Sequence, residues 1–305
     1  MPRPSLTFFN EQDSDALAAT FTPAVLTTLS LLKARVAMGL RDLTNLRAEV
    51  VRQLNEAGIP VIAWVLLPRD EGYFATHTNA PLVEAAVERL RTWAEKERLS
   101  FRGLGLDFEP DLRELERLMA QPARTLARWL FRPGRGRLVL EAQQRYQALV
   151  DRLRADGLEV ETYQFPFILD DRRRRSHFWQ RTLGALALEA DREVVMLYTS
   201  LMGAAGPGLL AHYARSSRAV AVGSTGGGID PFPKLSWHEL ERDLVQAARH
   251  APDVHVFSLE GCVQQGVTDR LLTVEWDRPI AGISRGQRFL SRMIASVSLG
   301  LARPG

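Results

Sequence analysis

The chain has 305 residues, of which 46% are hydrophobic and 25% are charged, a balance typical of a folded globular protein. Its net charge of +3 gives no general electrostatic case for nucleic acid, and no apolar run reaches the length of a membrane span. The single cysteine, Cys262, excludes an internal disulfide. No apolar signal segment precedes the first strand-like run, so we expect a cytoplasmic protein by default, with secretion left open.

The first half of the chain alternates between short apolar runs and amphipathic segments. The apolar, β-favouring runs predict strands at 6–9, 35–40, 59–67 and 104–110. The amphipathic segments predict helices at 16–32, 44–54 and 81–97. Pro23 is expected to break or kink the first helix, because proline lacks the amide hydrogen.

The second half repeats this alternation after one longer helical stretch. We interpret residues 112–137 as a helical insertion, with Gly134 and Gly136 marking a joint. Further strands are predicted at 158–166, 193–199, 219–224 and 254–259. Further helices are predicted at 139–155, at 177–188, in a short segment ending at 213, and at 236–248. The two acids and four arginines of 170–175 predict a solvated loop or a helix start.

Eight strands that alternate with helices, without a hairpin signal between them, indicate an α/β fold with a parallel sheet. We therefore predict a single (β/α)8 TIM barrel over residues 1–305, with the helical insertion after strand 4. The rival is an open doubly wound sheet, but its usual glycine-rich turn after the first strand is missing.

The fourth strand carries two acids at its end. Asp107 and Glu109 are two residues apart, so the strand period places both side chains on the same face, and Pro110 then ends the ladder. In an α/β barrel this strand end is where active sites lie. The alternative is a structural pair that caps the following helix or binds an arginine at the rim.

Polar and aromatic residues follow several other strands and are predicted to share this rim. The candidates for substrate binding are Glu11, Trp64, Tyr73, Tyr163, Gln164 and Glu260. Acids together with aromatic rings are typical of a carbohydrate site, because rings pack on sugar C–H faces and carboxylates supply acid–base chemistry. The loop at 69–79 is expected to cover the pocket, with Tyr73 or Phe74 as a stacking platform. The histidines form no ligand-spaced pair, so we predict no metal and no cofactor.

The stretch from Arg102 to Glu109 resembles the D-G-x-D-x-D-x-E signature of the family 18 glycoside hydrolases, the chitinase-like barrels. On the sixth strand, the residues from Met196 to Thr199 are similar to that family's M-x-Y-D motif. The resemblance implies a (β/α)8 barrel in which Glu109 is the general acid, Asp107 supports it and Tyr198 steadies the reacting N-acetyl group.

The sequence also departs from that pattern, because Arg102, Gly105 and Thr199 stand where the family has aspartate. The leading hypothesis is a glycoside hydrolase with Glu109 as acid and Asp107 carrying the negative charge. If the substrate lacks an N-acetyl group, Glu260 or Glu11 would supply the nucleophile or base.

Two other functions stay open. One is a non-catalytic barrel that binds a carbohydrate ligand and has lost activity, which the missing aspartates favour. The other is an enzyme for anionic or phosphorylated substrates that uses Arg41, Arg69 and the glycines at 226–228.

Overall fold

The computed structural model describes residues 3–130, 135–227, 233–280 and 282–302. Within them, eight parallel strands pair in chain order and the last pairs with the first, which confirms the predicted (β/α)8 barrel. The strands are β1 Ser5–Asn10, β2 Arg35–Leu40, β3 Val61–Val65, β4 Gly103–Phe108, β5 Glu159–Gln164, β6 Arg192–Met196, β7 Ala219–Gly223 and β8 Asp253–Phe257. The predicted Gly134 joint and residues 228–231 lie outside the described residues.

Helices connect and surround the strands. In the first half they are α1 Leu17–Thr20, α2 Pro23–Leu32, α3 Asn45–Glu56, α4 Ala80–Glu97, α5 Leu112–Ala120 and α6 Pro122–Leu130. In the second half they are α7 Arg135–Ala155, α8 Ile168–Arg174, α9 Phe178–Leu183, α10 Gly206–Ala214, α11 Trp237–Ala248, α12 Leu259–Gln264 and α13 Arg285–Leu301. Short 3-10 turns occur at Ser14–Ala16, Arg69–Glu71, Gly203–Ala205 and Asp269–Thr273. The extra helices α5 and α6 form the insertion after β4.

One helix prediction needs correction, one pair of alternatives is decided, and one helix was not predicted. The helix predicted at 177–188 ends at Leu183, because Gly184 adopts a left-handed φ of 73°. For the acidic and basic run, predicted as a solvated loop or a helix start, the structure shows a helix, since the run forms most of α8. The C-terminal helix α13 had no sequence prediction, and its capping box joins Ser284 to Gln287.

Strand alternation divides the core into two layers. Residues such as Phe8 and Leu106 face the surrounding helices, whereas Phe9 and Trp64 fill the barrel interior. Phe9 is the centre of the interior, with its ring 4.8 Å from Tyr163 and 5.1 Å from Trp64, both edge to face. This packed layer forms the floor beneath the carboxyl-terminal end of the barrel.

The amino-terminal end of the interior holds a buried ion network around Glu161, which is fully buried. Its carboxylate accepts hydrogen bonds from Arg192 at 2.5 Å and Arg35 at 3.4 Å, and His255 Nε2 lies 3.1 Å away. Burial opposes ionisation, but these partners outweigh it and lower the pKa of Glu161 to about 2. Burial lowers the pKa of His255 and the charge of Glu161 opposes that shift, so His255 and the two arginines together compensate the buried carboxylate.

Among the described residues, no single helix has the length and apolar composition needed to cross a membrane. One bent pair, residues 14–20 with 23–32, meets the length and composition criteria when its parts are joined. Its buried residues include Leu17 and Leu29, which belong to the hydrophobic core.

Candidate active site

Four acids meet at the carboxyl-terminal end of the barrel. They come from three strand ends and are Glu11, Asp107, Glu109 and Glu260. Their negative charges raise one another's pKa: Glu11 acts on Asp107, on Glu109 and on Glu260. The structure therefore brings these predicted residues to one place, with Glu11 as the common neighbour.

Glu109 follows β4 and is half-buried, so part of its surface is accessible. Loss of hydration raises its pKa to about 8, with a further contribution from the nearby charge of Glu11. A carboxyl group with such a pKa holds its proton at neutral pH. It can therefore donate that proton to a substrate oxygen.

Asp107 lies deeper and is only 2% exposed. Burial raises its pKa well above the usual range, and the charges of Glu109 and Glu11 add to the shift. The indole of Trp64 opposes the shift, although its Nε1 and Asp107 Oδ1 make no hydrogen bond of standard geometry among the described residues. The expectation that Asp107 carries the negative charge is thus not supported, because both acids of β4 favour the neutral form.

Glu11 is held by Tyr73, whose hydroxyl donates to its carboxylate. Burial raises the pKa of Glu11, while this hydrogen bond and the charges of Arg41 and Arg69 lower it. Arg41 donates to the Glu11 carbonyl oxygen at 3.1 Å and lies 5.8 Å from the centre of the Tyr73 ring. Glu11 is therefore the acid of this cluster with the most positive charge around it.

Glu260 lies in the first turn of α12 and is 1% exposed. Its carboxylate accepts hydrogen bonds from the Asn10 side chain at 3.0 Å and from the Glu11 amide at 3.1 Å. Burial raises its pKa to about 7 despite these donors. Gly227 approaches so closely that a Cβ there would collide with the Glu260 carboxylate. The acid is fixed in place by its neighbours.

Tyr198 follows β6 by two residues and is half-buried. Its ring packs against Phe257, with the centroids 5.6 Å apart and the planes at 41°. Burial raises the pKa of its phenol, and the charges of Asp107 and Glu109 raise it further. Tyr198 is therefore a neutral hydroxyl donor close to the two acids of β4.

The loop at 69–79 lies beside β4. The Ala75 amide donates to the Asp107 carbonyl at 2.8 Å, and Ala75 forms a bridge with Phe108. Tyr73 is 2% exposed and packs edge to face against Phe74 at 4.9 Å. The buried ring of Tyr73 offers little surface for stacking on a sugar. Its role in the site is to bind Glu11.

The remaining candidates lie away from the acids' accessible side. Trp64 and Tyr163 belong to the interior floor, and the Tyr163 hydroxyl points to Glu161 at 3.4 Å. Gln164 faces the helical layer, where its amide donates to the Leu186 carbonyl at 2.7 Å. The structure therefore does not bring Gln164 to the acid cluster.

The three positions that depart from the family pattern have other partners. Arg102 is paired with Glu159. Gly105 is covered by Tyr163, so that a Cβ at position 105 would collide with the phenol. Thr199 donates a hydrogen bond to Asp243.

Asn10 was missed by the sequence reasoning, although it is fully buried and binds Glu260. A polar residue at the end of an apolar strand, one position before Glu11, was the available signal. Among the described residues, no group of three or more His, Cys, Asp or Glu side chains is arranged to hold a metal ion.

No family model and no curated protein sequence matches the chain. Among solved structures, a GH18 chitinase from Pseudoalteromonas aurantia matches with a TM-score of 0.54 and 10% identity, over 88% of this chain and 99% of that one. A chitinase from Chromobacterium violaceum matches with a TM-score of 0.51 and 12% identity, over 87% and 99%. A D-allulose 3-epimerase from Methylomonas sp. has a TM-score of 0.45 and 10% identity, over 97% and 99%. The barrel thus resembles chitinase barrels distantly, and identities this low show the fold alone.

Proposed function

We propose that this barrel is a glycan-active enzyme of the glycoside hydrolase type, with Glu109 as the proton donor. The observation that carries the proposal is a half-buried carboxyl group at a strand end with its pKa raised to about 8. Such a group is protonated at neutral pH and still within reach of a ligand. The strand end is also where barrel enzymes place their chemistry.

In this proposal Glu109 donates its proton to the glycosidic oxygen as the bond from that oxygen to the anomeric carbon breaks, and a water molecule then adds its hydroxyl to the anomeric carbon and returns a proton to Glu109. Burial raises the pKa of Asp107 and so favours its neutral form, which limits the second charge beside Glu109 before the proton moves. Tyr198 donates a hydrogen bond to the sugar, and an N-acetyl group is the acceptor that the motif resemblance implies.

The developing positive charge on the sugar needs an anion nearby. Glu11 is the candidate for this role: burial raises its pKa overall, but the hydrogen bond from Tyr73 and the charges of Arg41 and Arg69 oppose that shift. For a substrate without an N-acetyl group, Glu11 or Glu260 is the candidate for the nucleophile or base.

A second candidate is a glycan-binding barrel without activity. The chitinase-like motif has an aspartate at position 105. Here Tyr163 packs against Gly105 and leaves no room for a side chain, which favours the candidate without activity. An anionic substrate is less well supported, since the Glu260 carboxylate lies directly against Gly227 and would repel a phosphate in the glycine-rich loop.

The test is Glu109→Gln, assayed on chromogenic glycosides that include N-acetylglucosamine oligomers. Turnover is expected to fall by a factor of about 10² to 10⁴, the usual contribution of a positioned proton donor. Glu116→Gln is the matched control, because Glu116 is exposed on α5, and it is expected to leave turnover unchanged.

Equal activity of the Glu109→Gln variant and the unmodified protein would remove Glu109 from the mechanism. Calorimetric binding of oligosaccharides without any hydrolysis would support the second candidate instead. If no oligosaccharide of the panel is bound or hydrolysed, a function in glycan chemistry is rejected.

A further inference from the structure

Helix α13 presents an apolar stripe to the outside of the protein. Its side chains are spaced four residues apart and are Phe289, Met293, Val297 and Leu301, with exposed fractions of 71%, 47%, 57% and 39%. Four-residue spacing keeps them on one side of the helix, over about 18 Å at a rise of 1.5 Å per residue. Single exposed hydrophobic residues are ordinary, but a continuous row marks an interaction surface.

The other side of α13 is firmly attached to the barrel. Ser298 donates to the buried carboxylate of Asp170 at 2.6 Å, and Trp179 Nε1 donates to the Ser298 carbonyl at 3.2 Å. Gly208 lies so close to Ser291 that a Cβ at position 208 would collide with its hydroxyl. The helix therefore already has its packing partner, and the stripe is a second, uncovered face.

Positive charge lies next to the stripe. Arg285, Arg288 and Arg292 are exposed, and the helical period places them along one flank of the apolar row. Residues 285–301 contain no aspartate or glutamate. Within the described part of the chain, none of the three guanidinium groups has an ion-pair partner. The exposed surface of α13 thus carries an apolar row with a cationic flank.

We propose that α13 docks on an anionic membrane surface. The apolar row enters the boundary between headgroups and acyl chains, and the arginines bind lipid phosphates, the arrangement that a basic amphipathic helix favours. A second copy of this chain is a poorer occupant, because two α13 helices would bring arginines together without any acid of the helix to balance them.

The experiment is vesicle flotation of the full chain with phosphatidylcholine alone and with phosphatidylcholine mixed with phosphatidylglycerol. Binding is expected on the mixed vesicles and is expected to weaken with added salt. Phe289→Ser is expected to reduce the partition constant about tenfold, because a large apolar side chain no longer enters the bilayer. Arg288→Gln and Arg292→Gln are each expected to reduce it about fivefold.

Two exposed residues on other helices provide matched controls. Leu46→Ser on α3 and Arg89→Gln on α4 make the same kinds of change elsewhere, so binding is expected to stay unchanged. Circular dichroism confirms that every variant is folded. Equal binding to both vesicle types, or equal losses in the controls, would overturn the proposal. The proposal would also be overturned if the protein did not bind either vesicle type and light scattering showed a dimer that Phe289→Ser dissociates.

Discussion

At the amino-terminal end of the barrel, Glu161 is fully buried, and its pKa is lowered to about 2. At the carboxyl-terminal end, Glu109 has a pKa raised to about 8, although it keeps part of its surface accessible. Burial acts on both carboxylates in the same direction, toward the neutral form. The difference lies in their neighbours, because Glu161 has two arginines within hydrogen-bond reach and Glu109 has other acids.

This contrast separates a structural acid from a chemical one. The arginines around Glu161 hold it ionised and complete a network that fills the interior. At the other end, Arg41 forms an ion pair with Asp13 and donates to the Glu11 carbonyl. The charge of Asp13 partly cancels that of Arg41, so Arg41 stabilises the ionised acids of β4 less. The carboxyl groups there therefore tend to keep their protons, which is what a proton donor requires.

The largest expected effect is on stability at the amino-terminal end. Glu161→Gln leaves Arg35 and Arg192 without their buried counter-charge, so the free energy of unfolding is expected to fall by about 3 kcal/mol or more. Glu109→Gln is expected to leave it unchanged or raise it, because the amide removes an acid from beside other acids. Urea unfolding of both variants at neutral pH measures the difference. Equal losses would mean that the two ends are equivalent.

The second prediction concerns pH. Glu109 has a pKa of about 8 in the folded state, against an ordinary value of 4.5. Between these values the folded chain keeps a proton that the unfolded chain releases, so the free energy of unfolding falls as the pH rises through this range. Glu161 acts oppositely: its stabilisation is present above its ordinary pKa and is lost as the pH falls toward 2.

Urea unfolding from about pH 5 to about pH 8 tests the first half of this prediction. Glu109→Gln is expected to flatten the decline, while Glu260, with a pKa of about 7, and Asp107, with its raised pKa, supply the part that persists. Parallel profiles for the variant and the unmodified protein would show that Glu109 does not hold its proton in the folded state.

The smallest expected effect comes from Tyr73→Phe, which removes the hydroxyl that binds Glu11. The free energy of unfolding is expected to fall by about 1 to 2 kcal/mol, and more at high pH, where Glu11 is ionised. Tyr146→Phe is the control, because the Tyr146 hydroxyl is equally buried but donates to the neutral Thr76 carbonyl at 3.1 Å. Its loss is expected to be independent of pH. A pH-independent loss in both variants would argue against an ionised Glu11.

The barrel was predictable because its signal is local and repeated. Each strand is a short apolar run, and the third, around Val61–Val65, is fully buried as its composition predicted. Local helix signals were also readable, since the helix predicted at 236–248 is α11 and begins with a capping box of Ser236 and Glu239. These features depend on residues that are close in sequence.

The features that the sequence did not predict depend mostly on residues that are far apart in the chain. Asp170 and Asp171 belong to the run predicted as a solvated loop or a helix start, but both side chains are fully buried. Asp170 accepts a hydrogen bond from Tyr213 at 2.7 Å, and Asp171 accepts from the amide of Gln180 at 3.0 Å. The link from Tyr73 to Glu11 likewise spans 62 positions. Neither Tyr213 nor Tyr73 is close in sequence to the acid that it binds, and such pairs cannot be read from spacing.

The contact between Gly105 and Tyr163 restricts the order in which mutations can accumulate. Any side chain at position 105 collides with the phenol, so an aspartate there is accessible only after Tyr163 has become smaller. In the reverse direction, a lineage that gained the tyrosine first had to hold glycine at 105. A library that varies the two positions together therefore samples foldable sequences that successive single-site libraries reach only when position 163 is varied first.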